Sequence, residues 1–212
     1  MIKISTNKTK LTIKSTEVNT IEEGEKIAQP IVEFLKSNPK VFGLSAPQIG
    51  IYKRVSVIHA KKENDPIVLI NPKIERVSEH RVFYREVCPS LPGRLINTVR
   101  HLSVEVSALN LSNVLTFGYT RDITEDEIKT GKYLQDYDLL EAVTIQHEID
   151  HLDGILMTNP IRRFDRIVKP QKEIKIGRND KVILKNKITG ETKREKYKFV
   201  ESLLATNEWE VI

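Results

Sequence analysis

The stretch Gln146-His147-Glu148-Ile149-Asp150-His151 constrains the chain more than any other, because it contains H-E-x-x-H at the end of an apolar run. On a helix, residues four apart lie one turn apart on the same face. His147 and His151 can therefore grip one metal ion from one side. Glu148, beside the first ligand, is placed to take a proton from a metal-bound water. The preceding residues Leu139 to Ile145 are apolar enough to bury such a helix, and Leu140, Val143 and Thr144 share the face of the two histidines. A helix from about Tyr137 to Leu152 follows, and Gly154 falls where it weakens or ends. Two histidines supply two ligands, whereas a catalytic site of the zinc type has three protein ligands and a water. The motif alone leaves the third ligand open, and a surface helix carrying two histidines by chance is the plainer alternative.

A chain of 212 residues has room for one substantial core and an appendage. No run is as long as a membrane span, and the N-terminus lacks the apolar core of a signal peptide. The single cysteine, Cys88, excludes an internal disulfide framework and suits the cytoplasm or another reducing compartment. The net charge is +5, unevenly spread. Residues 169–198 hold eleven Lys or Arg against four acidic residues, +7 in all, which leaves −2 for the remainder. An anionic partner is therefore expected for the C-terminal part only, with a solvated basic surface as the alternative.

Residues 1–18 read as an extended arm. Thr20 caps a helix with Glu23 completing a capping box, and Pro30 is expected to kink or interrupt it. The segment from Val41 to Gly50 reads as a tight turn. Strands are expected over Arg54–His59, Ile67–Ile70, Arg81–Tyr84 and Leu102–Leu109. Thr124 and Glu127 form a second capping box, with Gly131 ending that short helix. Later, Thr189-Gly190 turns a hairpin that begins at Lys181. Several strands followed by one buried helix indicate an α+β fold: antiparallel sheets around a central buried helix carrying H-E-x-x-H, plus a small hairpin-containing C-terminal extension. The expected boundary lies near residues 165–172, giving units 1–168 and 169–212.

Three segments then line up: Gly43-Leu44-Ser45-Ala46-Pro47-Gln48, Glu86-Val87-Cys88-Pro89-Ser90 and Gln146 to His151. In this order they resemble the three motifs of the peptide deformylases, over roughly residues 20–160. The resemblance implies removal of the formyl group from the initiator methionine of nascent polypeptides, with release of formate. It implies that Cys88 joins His147 and His151 as the third ligand of one divalent ion, Fe(2+) natively, with Zn(2+) or another divalent ion as a substitute. It gives Glu148 the proton transfers and points the Gln48 amide at the oxyanion. It implies that the backbone of Gly43 pairs with the substrate; Phe42, Leu140 and Val143 are the candidates for the methionine pocket. Glu86 and Arg100 are expected to pair in support.

The second motif departs from the family's usual E-G-C-[LE]-S. Val87 replaces glycine, and Pro89 stands where the family uses a backbone N–H as an oxyanion donor, which proline lacks. Residues 111–136 are longer than the usual connection. The expected partners are N-formyl-Met nascent peptides and, through the basic extension, the ribosome; no membrane and no specific DNA is expected. Two alternatives stand beside this reading. A zinc metalloprotease of the metzincin type needs a third His where Met157 stands. A weakly active deformylase-like binding protein is favoured only by Pro89.

Overall fold

The computed structural model describes residues 2–60, 65–119, 123–130, 132, 136–162, 179, 181–204 and 208–211. The chain divides into two compact units, Met1–Asp165 and Arg166–Ile212. The boundary expected near residues 165–172, and the helix end expected at Gly131, lie outside the described residues.

The N-terminal residues are not simply an extended arm. They contain a single-turn helix, α1 (Lys8–Leu11), capped by the Asn7 side chain, with Leu11 fully buried. Helix α2 (Ile21–Ser37) starts where Thr20 Oγ1 accepts from Glu23 N at 3.2 Å. The return bond from the Glu23 carboxylate goes to Asn19 N rather than to Thr20. Pro30 does not interrupt this helix. The carbonyl that proline leaves without its helical partner belongs to Lys26, an exposed residue.

The segment expected to be a turn is instead strand β1 (Gly43–Ser45) followed by a single-turn 3-10 helix, Ala46–Ile49. β1 pairs antiparallel with β2 (Val55–Ile58), which pairs antiparallel with β3 (Ile67–Ile70). A second antiparallel sheet has the order β4 (Lys73–Val77), β7 (Ser103–Ser107), β8 (Leu115–Gly118); between its strands in sequence, β5 (Arg81–Glu86) and β6 (Ile96–His101) form a hairpin. Helix α3 (Glu125–Thr130) begins in a reciprocal capping box: Thr124 N donates to Glu127 Oε2 at 2.9 Å and Glu127 N donates to Thr124 Oγ1 at 3.3 Å.

Helix α4 (Tyr137–Leu152) carries the motif. Asp136 caps it by accepting from Asp138 N, and the helix ends at Asp153 before Gly154 turns with φ 71°. A Cβ on Gly154 would lie 2.4 Å from Thr12 O, so the turn needs glycine for space as well as for conformation. α4 packs against β1, β2, β6, β7, β8 and the 3-10 turn. That explains why twelve of its sixteen residues are buried, charged ones included. Ile145 and Ile149 enter a cluster with Ile58, Leu69, Val104, Val106 and Phe117. Leu139 and Val143 join Val82, Leu102 and Tyr119.

The second unit is built on β9 (Lys181–Asn186), which pairs antiparallel with β10 (Thr192–Lys196) on one side and β11 (Trp209–Val211) on the other; α5 (Tyr197–Leu204) connects them. Gly190 turns the hairpin with φ 75°. Val182, Leu184, Val200 and Trp209 form its core. The alternate residues Lys181, Ile183 and Lys185 are exposed, and in register lie opposite Lys196, Arg194 and Thr192. No helix among the described residues is long and apolar enough to cross a membrane.

Candidate metal centre

Three atoms that could hold a metal ion converge where α4 meets the segment after β5. His147 and His151 face the same way one turn apart, their Nε2 atoms 3.1 Å from each other. Cys88 Sγ lies 3.3 Å from His151 Nε2, and all three donors lie within 4.8 Å of one another. A tetrahedral ion with metal–nitrogen bonds near 2.1 Å and a metal–sulfur bond near 2.3 Å separates its ligands by about 3.4 Å (N–N) and about 3.6 Å (S–N). The observed spacings are close to that. The chemistry agrees: His147 donates through Nδ1 to Glu86 at 2.6 Å, so a neutral His147 presents its Nε2 lone pair to the other two donors. Donors this close can share one divalent cation. Burial opposes a charge on His147, but the Cys88 sulfur and the Glu86 carboxylate push its pKa well above the ordinary histidine value. Burial and the neighbouring His147 hold His151 well below it.

The candidate donors are held by a buried ion network. Arg100, fully buried, donates to both Glu86 oxygens at 2.5 and 3.0 Å and to Asp150 Oδ2 at 2.5 Å. Thr98 Oγ1 also donates to Glu86. Burial pushes the Glu86 carboxyl up, yet its bonds to His147 and Arg100 outweigh this and hold it well below the usual carboxylate range. Asp150 in turn accepts from Arg162 Nε at 2.9 Å and Nη2 at 2.8 Å. The pairing expected of Glu86 and Arg100 is therefore present. The extensions of it to Asp150 and Arg162 were not anticipated, since nothing in sequence spacing links Arg100 to a helix fifty residues later.

Glu148 projects from α4 toward β1. Its Oε2 is buried without a partner, and burial pushes its pKa up to about 7. A Cβ on Gly43 would lie 2.8 Å from Glu148 Oε1 and 2.7 Å from Thr144 Cγ2. Only glycine lets β1 approach this face of α4 so closely. Gln48, fully buried, places its Nε2 3.6 Å from Cys88 Sγ and 3.2 Å from Ser90 Oγ. Its Oε1 accepts from Ser45 N at 2.8 Å and Ser45 Oγ at 2.9 Å. Ser45 and Ser90 were not singled out from the sequence, although Ser45-x-x-Gln48 has the spacing of a capping box.

The pocket candidates divide. Phe42 and Leu140 are half-buried, and the Phe42 ring meets Tyr137 edge-on with centroids 6.0 Å apart. Val143 is only 3% exposed, within the core cluster of Leu139 and Tyr119. Met157, at the position where a metzincin carries its third histidine, is buried against Cys88 and Leu91. A cavity of about 620 Å³ lined by Lys14, Arg54, Asn71, Lys73 and Asp153 includes none of the three ligands.

An α+β scaffold holding Cys/His/His donors beside a buried, half-unpartnered glutamate from H-E-x-x-H defines a metal-dependent hydrolase. Comparison with known proteins gives the particular family. The model of the polypeptide deformylases matches residues 2–167, and the chain belongs to that family, whose members are metal-dependent enzymes that remove N-formyl groups from nascent peptides. Similar proteins include the peptide deformylase of Rhizobium meliloti strain 1021, 33% identical over 72% of this chain and 79% of that protein. The peptide deformylase of Synechococcus strain CC9605 is 35% identical over 66% of this chain. The matched region spans 63% of that relative's length, under two thirds. The crystal structure of a peptide deformylase from Synechococcus elongatus in complex with actinonin superposes with a TM-score of 0.59 at 29% identity, covering 78% of this chain and 80% of that one.

Proposed function

We propose that this protein hydrolyses the N-formyl group from the initiator methionine of nascent polypeptides and releases formate. The observation that carries the reading is the pairing of a compact Cys88/His147/His151 donor set with the unpartnered, buried Glu148 oxygen next to it. Cys88, His147 and His151 would hold a divalent cation, which would supply Lewis acidity to a water and to the formyl oxygen. Glu148 accepts the proton of the attacking water and delivers it to the leaving amine. Gln48 donates its side-chain N–H to the oxygen that gains charge. The backbone of Gly43, in the strand nearest Glu148, pairs with the extended substrate. Phe42 and Leu140 contact the methionine side chain, with Val143 behind them in the core.

Fe(2+) is the ion we assign natively, as the resemblance to the family implies; a thiolate with two imidazoles tolerates it as well as Zn(2+). Metal analysis of anaerobically purified protein, combined with a formate-release assay on a formyl-Met peptide, tests both assignments. Iron at one equivalent with release of formate supports them. Full metal occupancy with no formate released contradicts the activity.

We further propose that the basic face of the second unit meets ribosomal RNA. Lys181 lies directly opposite Lys196 across the hairpin, with Arg194 and Lys185 on the same face. Like charges directly opposite destabilise a strand pair, and a polyanion relieves that cost. Replacing Lys181, Arg194 and Lys196 by Glu should abolish salt-sensitive co-sedimentation with ribosomes; unchanged co-sedimentation contradicts the proposal.

A further inference from the structure

Gln48 is held at both ends of its side-chain amide. Its oxygen accepts from two donors of Ser45, the N–H at 2.8 Å and the hydroxyl at 2.9 Å. Those bonds fix which end of the amide is which, because a flipped NH2 would face the Ser45 N–H donor. The nitrogen carries two protons. One donates to Ser90 Oγ at 3.2 Å and the other to Cys88 Sγ at 3.6 Å, the longer bond and the one a developing oxyanion would replace. Ser90 is 1% exposed, so no bulk water competes for its hydroxyl.

A tight turn places Ser90. Leu91 N donates to Cys88 O at 2.9 Å, which closes four residues with Pro89 second and Ser90 third. Proline at the second position of such a turn presets φ near −65° and lowers the entropy lost on forming it. The same proline has no N–H to offer a developing oxyanion. One residue thus removes a donor and stiffens the turn that holds another donor's anchor.

We propose that Ser90 is a positioning residue that aims the Gln48 amide, and that Pro89 sets the turn presenting it, so that one oriented donor stabilises the oxyanion alone. The proposal rests on the reading of Gln48 as the oxyanion donor. Ser90 acts by holding Gln48 in one rotamer. With a second donor present the orientation of Gln48 would matter less. The contributions of Ser90 and of residue 89 are therefore coupled.

The first test needs no substitution. In zinc-loaded, isotope-labelled protein the Gln48 side-chain amide protons should exchange with solvent far more slowly than those of an exposed glutamine; exchange as fast as that of an exposed side-chain amide overturns the proposal. The second is kinetic. Ser90→Ala should lower kcat about 10-fold, the effect of one net hydrogen bond, with KM and metal content unchanged. Ser90→Thr, which keeps the hydroxyl, should retain most of kcat. Pro89→Leu restores an N–H, and in that background Ser90→Ala should cost clearly less; strictly additive losses overturn the role given to Pro89. Gln48→Ala separates the two levels of the argument. If it loses about 10²–10³ in kcat while Ser90→Ala loses nothing, positioning by Ser90 is overturned and the oxyanion reading stands. If Gln48→Ala is itself harmless, the oxyanion reading falls and the positioning role falls with it.

Discussion

Nδ1 of His147 donates a 2.6 Å hydrogen bond to Glu86, a residue two before Cys88. One carboxylate thus holds the ring of one proposed ligand from within the motif that supplies another. A carboxylate behind a ligating histidine fixes its tautomer and raises its basicity, and loss of such a partner costs about 10–100-fold in metal affinity. Glu86→Gln keeps an acceptor of the same shape without the charge. It should weaken zinc binding by about that factor in a competition titration with a chelator. An unchanged affinity would mean that Glu86 serves the fold and not the ion.

Arg100 joins Glu86 to Asp150 with no solvent exposure. Removing it takes the guanidinium from the buried Glu86 carboxylate and leaves Asp150 only Arg162, and breaking a buried pair in this way costs about 3–5 kcal/mol. Arg100→Leu should show that loss in chemical denaturation at fixed metal loading. Arg162, still paired with Asp150 but partly exposed, should cost far less when replaced by Ala. Equal losses for the two variants would contradict the network as described.

Gly43→Ala tests the approach of β1 to α4. The new methyl would sit 2.8 Å from Glu148 Oε1 and 2.7 Å from Thr144 Cγ2, so the carboxylate must move. A misplacement near 1 Å costs about 10² in rate. The variant should bind metal like the parent, lose about that factor in kcat, and recover part of it with Thr144→Ser, which removes the other clash. Parent-like kcat would show that the strand gives way instead.

Burial holds His101 below the ordinary histidine value of 6.5, despite a 2.7 Å bond from Nδ1 to Ser78 O. The charges of Arg81, Arg162 and Arg100 push the same way. The unfolded chain therefore takes up this proton more readily than the folded one. The associated stability is fully present above pH 6.5 and is lost as pH falls through the depressed folded value. His101→Gln should lose less stability than the parent between pH 8 and pH 5, each measured by denaturation with the same metal loading. Titration of the ligands is common to both proteins and cancels in the comparison. Parallel pH profiles would remove His101 from the acid response.

Legibility in the sequence followed the strength of local signals. α4 was readable to its ends because an apolar run, an acidic first turn and a following glycine agree. β4 was missed because four of its five residues are exposed, so no alternation marks it. β6 and β8 were missed for a related reason: their pairing partners, not their own patterns, make them strands. The turn expected at Gly43–Gly50 is a strand and a 3-10 helix because β2 supplies the hydrogen bonds that local propensity does not show. At the site, the resemblance of the three motifs to a known family implied the Cys88/His147/His151 set. Arg162 and Ser90 were not implied, because their roles exist only through the Asp150 and Gln48 side chains that folding brings to them.

The most direct measurement is formate release from a formyl-Met peptide by protein prepared anaerobically with one equivalent of Fe(2+), run beside Cys88→Ala. The account predicts one formate per free amino terminus generated, no cleavage of internal bonds, and loss of both metal and activity in Cys88→Ala. Full iron occupancy without formate release, or a fully metallated and active Cys88→Ala protein, would contradict it.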